Sequence, residues 1–460
     1  MKKNTILLLA LLGGLLSSCF KDDEVTFDNY CYISSVSLGT MKRVTHYTNA
    51  EGRDTTYRSS YSGNLFQMTI DQRTLKIENR DSLLYGTDLS AQLVSISFEG
   101  ATLLYRPEAD TTAEWTAYNS KDSMDLRQPL QLLVVSNDGA SNRLYSMKLN
   151  VHQQEGDSLY WNRVDSNVVE LGAMDDTRAM VYGQKLYVLG RTGGKWCMAS
   201  RSLTVQQNAW SRKETNLPDN ADPTTLCLLN EVLYVSTAEG RLFSSVDTEN
   251  WTCLTDMNVP NIRLAGASKS YLYAIADGRV LRSTDGQNWN SEALDDEASY
   301  LPDTCVSLLP FTLEDGSERL VMVGYRTSVQ QDTAAVVWNK SWTAKENEAN
   351  AEWVYFTQTW ENHWFCPWLK DMNVLPYDGR CMAFGGASLK TDSHRAMDAL
   401  FFSRDYGITW KPDYELYPPR ALKGVGGSIA AAVDEDKYIW IIANQEVWRG
   451  RLNRLGFLRQ

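Results

Sequence analysis

From residue 160 onward, apolar and polar positions recur in one phrase. An apolar strand containing Leu-Tyr leads to a glycine turn, a second apolar strand ending in Ser, a polar turn and a Trp. One copy reads Leu233-Tyr234-Val235-Ser236, Gly240, Leu242-Phe243-Ser244-Ser245, Asp247, Trp251. The next reads Leu272-Tyr273-Ala274-Ile275, Gly278, Val280-Leu281-Arg282-Ser283, Asp285, Trp289, and the two align without gaps from Ser to Trp. Further copies end at Trp210, at Trp353 in divergent form, and at Trp410. The last copy is split: Tyr438-Ile439-Trp440-Ile441-Ile442 and Glu446-Val447-Trp448-Arg449-Gly450 lack a closing Trp strand, while Tyr160-Trp161-Asn162-Arg163-Val164 reads as a closing strand with nothing before it. Repeats of this length correspond to four-stranded propeller blades. The pattern predicts a six-bladed β-propeller over residues 160–456, closed by its N-terminal strand so that no sheet edge is left free.

A second pattern fills residues 30–152. Leu65-Phe66-Gln67-Met68-Thr69-Ile70 and Leu93-Val94-Ser95-Ile96-Ser97-Phe98 alternate apolar and polar residues, the mark of half-buried strands. Tyr30-Cys31-Tyr32-Ile33 opens the region. Leu132 to Val135, a loop through Asp138-Gly139, and Tyr145 to Val151 form a hairpin. That hairpin resembles the last one of cadherin-like or immunoglobulin-like sandwiches, which implies a small β-sandwich acting as a spacer or as a ligand-binding module. Polar residues 153–159 mark a linker. The expected fold class is therefore all-β, a small β-sandwich followed by a six-bladed β-propeller.

Residues 1–18 read as a targeting segment. Lys2 and Lys3 precede an apolar run from Ile6 to Leu16, which is too short to span a bilayer. The run Leu16-Ser17-Ser18-Cys19 resembles the lipobox of bacterial lipoproteins, which implies lipidation at Cys19 and a tether over 19–29. Several acyl chains on one residue give stable anchoring. Phe20-Lys21-Asp22-Asp23-Glu24 resembles the signal that sends Bacteroidetes lipoproteins to the outer face of the outer membrane; the periplasmic face is the alternative.

Charge and cysteines narrow the function classes. The formal net charge of -12 opposes binding to phosphate backbones, so no nucleic-acid partner is expected, and the membrane is met through the lipid alone. Cys31, Cys197, Cys227, Cys253, Cys305, Cys366 and Cys381 show no C-x-x-C spacing. They read as buried thiols, with one disulfide as the alternative, and no metal or other cofactor is implied.

The segment Ser403-Arg404-Asp405-Tyr406-Gly407-Ile408-Thr409-Trp410 resembles the Asp-box, or BNR repeat, of sialidase- and sortilin-type propellers. Shorter relatives occupy Ser283, Asp285 and Trp289, and Ser245, Asp247 and Trp251. In that family the box is structural, so it marks a blade and no chemistry. The chain lacks the Arg-Ile-Pro phrase of sialidases. Arg178, Arg263, Arg326 and Arg420 fall near the innermost strands without forming a constellation, and no H-E-x-x-H, nucleophile elbow or P-loop occurs. No catalytic residue is assigned.

The connection Trp360-Glu361-Asn362-His363-Trp364-Phe365-Cys366-Pro367-Trp368 carries three Trp. Flat rings there suit sugar stacking, or else plug the channel and pack between blades. Trp360, His363, Trp364 and Trp368 are candidate ligand contacts, with Asp175, Asp176 and Arg178 expected on the same face. Taken whole, the chain resembles Bacteroidetes-type surface lipoproteins that pair a sandwich with an Asp-box propeller. The expected function is non-catalytic binding of a glycan or an envelope protein partner. The alternatives are a sialidase-like glycoside hydrolase or lyase, and a structural scaffold. Carboxylates and arginines converging on the channel mouth favour the enzyme, an aromatic platform favours sugar binding, and a broad apolar patch favours a protein partner.

Overall fold

The computed structural model describes residues 28–48, 53–204, 210–357, 362–390, 393–413 and 415–457. Residues 1–27 lie outside them, so the expected lipidation at Cys19, the expected targeting segment over 1–18 and most of the expected tether over 19–29 fall beyond the described residues. The chain divides into two compact units, one ending at Glu155 and one beginning at Gly156.

The first unit is built on strands. Tyr32–Leu38 pairs antiparallel with Gln92–Glu99, and Leu130–Val135 lies between Thr102–Pro107 and Asn142–Lys148 in a six-stranded sheet. Burial alternates along Gln92–Glu99 and Leu130–Val135, so one face of each strand enters a shared core around Ile33, Val94, Leu132 and Tyr145. Leu65 does not join a strand. It closes the short 3-10 turn Gly63–Leu65 and stands exposed, and the strand begins at Met68. A long hairpin, Thr40–Thr48 with Asp54–Ser62, forms from two polar, Thr- and Ser-rich segments.

Among the described residues the second unit holds six four-stranded antiparallel sheets. Five follow chain order, starting from the strands Asp175–Tyr182, Cys227–Leu229, Arg263–Ala267, Thr304–Thr312 and Asn373–Tyr377. The sixth joins Ile429–Val433, Ile439–Ala443 and Glu446–Leu452 to Leu159–Asp165, which pairs antiparallel with Glu446–Leu452. Tight turns supply the hairpins. Asp277 and Gly278 both take left-handed φ (47° and 68°) between Leu272–Ala276 and Arg279–Ser283, as a two-residue hairpin turn requires.

Alternation within each strand sends successive side chains to opposite faces, and each face meets a neighbouring sheet. Tyr234 and Leu242 pack with Leu264, Leu272 and Trp289, whereas Leu233, Val235 and Phe243 pack with Trp196 and Met198 of the preceding sheet. Ala430, Ala432 and Trp440 of the sheet holding both ends pack with Ala179, Leu186 and Val188 of the first. A core therefore lies between every two consecutive sheets, and the last sheet meets the first. Trp210, Trp251, Trp289, Trp353 and Trp410 each sit buried in one of these cores. Trp161 lies across Gly450 so closely that any Cβ there would collide with its ring.

The hairpin turn before each of three Trp is organised alike. Ser403 Oγ donates to Asp405 Oδ1, the Gly407 N–H donates to Ser403 Oγ at 2.7 Å, the Thr409 N–H donates to Asp405 Oδ1 at 2.9 Å, and Trp410 Nε1 donates to the Gly407 carbonyl at 3.0 Å. The same bonds recur around Asp285 and Asp247. Burial pushes the Asp285 carboxyl up, but donors from Asn288, Gln287 and Ser283 bring it down to about 2.

Candidate functional site

The inner strands start at one end of their sheets. Because the strands of a sheet alternate in direction, the third-to-fourth turns holding Asp247, Asp285 and Asp405 lie at the opposite end. The inner strands are clasped to each other near their starts. Asn373, buried, donates through Nδ2 to the Ile429 carbonyl and accepts from the Ala431 N–H, both at 3.0 Å. The Thr177 N–H donates to Ser428 Oγ at 2.8 Å.

A cavity of about 450 Å³ opens where these starts converge. Its charged and polar lining includes Asp176, Arg178, Asp222, Arg263, Cys305 and Asp371, from five different parts of the chain. Three of them, Asp176, Cys305 and Asp371, take left-handed φ of 51°, 49° and 46°. Such conformations cost non-glycine residues free energy and gather where a site needs groups re-aimed. At Asp176 and Cys305 they coincide with breaks in strand register, between Asp175 and Arg178 and between Thr304 and Ser307.

The two arginines differ. Arg263 pairs with Asp222 and donates through Nη1 to the Asp303 carbonyl at 2.9 Å. Asp222 is itself fixed by the Thr224 N–H (3.0 Å) and hydroxyl (2.6 Å). The Arg178 side chain makes no hydrogen bond or ion pair among the described residues. Burial lowers its pKa, against the opposing influence of Cys305 and Asp222. Burial raises the Asp371 carboxyl; Lys370 opposes this and the nearby Asp176 charge adds to it. Burial likewise raises the Cys305 thiol.

The candidate contacts read from the sequence do not come together. Asp176 and Arg178 line the cavity; Asp175 is exposed and outside its lining. Trp368 is only 5% exposed. Tyr325 stacks on its ring at 4.5 Å and 14°, and Lys390 Nζ sits 4.6 Å from the ring centroid, so it offers no free aromatic face to a sugar. Trp364 is exposed, as is His363, but its carbonyl accepts from the Trp410 N–H at 2.8 Å and Asn362 Nδ2 donates to the Ile408 carbonyl at 2.7 Å. These bonds tie the segment to the 403–410 turn, at the end of the sheets away from the cavity. Trp360 lies outside the described residues. The connection reaches the cavity only later, through Asp371. Of the other arginines, Arg326 is held by Asp332 through two bonds at 2.7 and 2.8 Å, and Arg420 is exposed. No group of His, Cys, Asp and Glu among the described residues could hold a metal ion.

The description "DUF6242 beta propeller domain" matches residues 155–460, and "Domain of unknown function (DUF6242) N-terminal domain" matches residues 36–149. No curated protein matches the chain. Similar solved structures include YCF48 bound to D1 peptide, at 13% identity and a TM-score of 0.37 over 63% of this chain and 96% of that one. A streptogramin B lyase gives 10% identity and 0.37 over 65% of this chain and 100% of its own. The extracellular domain of a putative hybrid two component system from B. thetaiotaomicron gives 11% and 0.34, over 69% of this chain and 36% of its own. None of these likenesses bears on what the chain binds.

Proposed function

The chain belongs to the DUF6242 family, and from that premise we propose that it is a surface lipoprotein whose propeller binds a polar ligand, a glycan in the first place, at the mouth of its channel. The six four-stranded sheets and the cores between them support a six-bladed ring, and the three Ser-Asp-Trp turns support the Asp-box type. The first unit is then a sandwich-like spacer. Leu16-Ser17-Ser18-Cys19 and the acidic run after it support anchoring through Cys19 at the outer membrane, facing outward.

One observation carries the binding reading: the Arg178 guanidinium, without a bonded partner among the described residues, stands in a cavity of about 450 Å³ that also holds two carboxylates, Asp176 and Asp371, with none either. An unpaired charge half-removed from water is costly unless a ligand completes its hydrogen bonds. Among the described residues the lining holds no Trp, Tyr or Phe, so in this reading recognition rests on charge and hydrogen bonds and not on ring stacking. The test is retention of the protein on a broad panel of host and dietary glycans beside Arg178→Ala and Trp364→Ala. Retention of one glycan class, lost with Arg178→Ala and kept with Trp364→Ala, is expected. Retention that survives Arg178→Ala moves the site elsewhere, and no retention at all sinks the sugar reading.

Asp371 favours a second reading, hydrolysis. A carboxyl raised by burial beside a second carboxylate, Asp176, is the arrangement a general acid uses. Release of reducing ends from a retained glycan, abolished by Asp371→Asn, is the signature of that activity.

A further inference from the structure

The charges of the channel mouth are of two kinds. On one side Arg263 and Asp222 neutralise each other, and beside them Arg178 presents a guanidinium with no partner among the described residues. On the other, Asp176 from the strand Asp175–Tyr182 and Asp371 from the turn before Asn373–Tyr377 line the same cavity, both with left-handed backbone, and no hydrogen bond or ion pair engages either side-chain carboxylate among the described residues. A purely anionic ligand satisfies Arg178 but is repelled by both carboxylates. A neutral sugar satisfies hydroxyl partners and leaves the guanidinium without a counter-charge. We infer that the mouth recognises a sugar residue bearing both a carboxylate and a free amino group, with the carboxylate on Arg178 and the ammonium between Asp176 and Asp371.

The inference rests on the reading of the mouth as the glycan site. The chemistry of each side fits it. A guanidinium offers a planar fork of donors that matches a carboxylate, and charge-assisted bonds of that type are about twice as strong as neutral ones. An ammonium brings up to three donors, enough to serve two carboxylates at once. Burial and the nearby Asp176 charge both disfavour a bare carboxylate at Asp371, so a cation between the two offsets their mutual repulsion. The cavity, at about 450 Å³, takes one or two sugar rings. The ligand's two charges cancel, so the net charge of -12 does not hinder its approach.

Four sugars of one skeleton separate the contributions: muramic acid (carboxylate and amine), N-acetylmuramic acid (carboxylate), glucosamine (amine) and N-acetylglucosamine (neither). Calorimetric titration of the full chain is expected to show muramic acid binding about tenfold or more tighter than either single-charge sugar, with N-acetylglucosamine weakest. Arg178→Gln should make muramic acid no better than glucosamine. Asp176→Asn, at an exposed side chain, should make it no better than N-acetylmuramic acid while leaving the fold intact. Equal affinity for muramic and N-acetylmuramic acids overturns the inference but leaves the mouth as a binding site. Equal affinity for all four, or binding by none, also overturns it. A glycan retained through Arg178 in the panel assay then keeps the broader reading alive; one retained independently of Arg178 ends both.

Discussion

Asn258 and Trp289 hold each other by both ends of one amide: Asn258 Nδ2 donates to the Trp289 carbonyl at 2.9 Å, and its Oδ1 accepts from the Trp289 N–H at 2.8 Å. Asn258 comes from the connection leading out of the preceding sheet, so the pair ties two sheets together at the turn end. Asn216 does the same to Trp251, at 3.0 and 2.7 Å. Asn258→Ala should leave both Trp289 backbone groups without these partners and cost about 1–3 kcal/mol. A urea midpoint unchanged from wild type would remove the clasp from the account of stability.

Thr248 stands where the two related turns have glycine. Its φ is 71°, against 77° at Gly286 and 105° at Gly407. A β-branched residue is strained there, and relief outweighs the chain freedom that glycine adds to the unfolded state. Thr248→Gly is therefore expected to stabilise the propeller by about 1 kcal/mol, read as a higher melting temperature.

The turn carboxylates set an acid limit. Asp247 is brought down to about 2, first by the Asn250 side-chain amide and then by the Asn250 and Glu249 N–H groups. Asp285 also falls to about 2 against burial, and Asp405 is lowered against burial by Thr409. Their folded pKa values lie below the unfolded value of about 3.9, so their stabilisation is complete above pH ~4 and is lost as pH falls toward ~2. Unfolding midpoints should be flat from neutral pH to about 4.5 and then drop. Asp285→Asn should lower the plateau and make the drop shallower.

Lys340 and Glu292 form an ion pair with no side-chain exposure on either partner, joined by Arg282 and by Trp353 Nε1 at 3.2 Å. Burial lowers the Lys340 pKa and Glu292 opposes this. Glu292→Gln strands a buried ammonium and should cost about 3–5 kcal/mol. Lys340→Met leaves Glu292 with Arg282 and should cost clearly less. Equal losses in chemical denaturation would contradict this division.

Trp368 and Trp364, four residues apart, should part company on mutation. Trp368→Ala empties a packed core and should cost about 3–5 kcal/mol, whereas Trp364→Ala removes an exposed ring and should change stability by about 0.5 kcal/mol or less. Thermal melts of the two variants decide it.

The strands were legible wherever packing repeats. Leu233-Tyr234 and Leu272-Tyr273 show their period because each side of a sheet must meet a neighbour, and Ser-Asp-Trp shows its spacing because the turn bonds are local. The cavity was legible only at Asp176 and Arg178. Asp222, Cys305 and Asp371 reach it from separate parts of the chain, with no spacing that announces a shared destination, and in sequence Arg263 is only one arginine near an inner strand. Aromatic density misled for a related reason: a Trp on a connection can face a ligand or a core, and composition alone does not say which. The polar hairpin Thr40–Thr48 with Asp54–Ser62 shows no apolar alternation, so its sequence carries no strand signal of that kind.

Pairing of Leu159–Asp165 with Glu446–Leu452 also orders events during synthesis. The first strand of the propeller to leave the ribosome finds its partner among the last. Each intermediate sheet can form as it emerges, but until the end of the domain is made the first strand waits with an open edge. Ring closure is thus a late, long-range step, and a chain interrupted before Glu446 is left with two unpaired edges for chaperones or proteases to find.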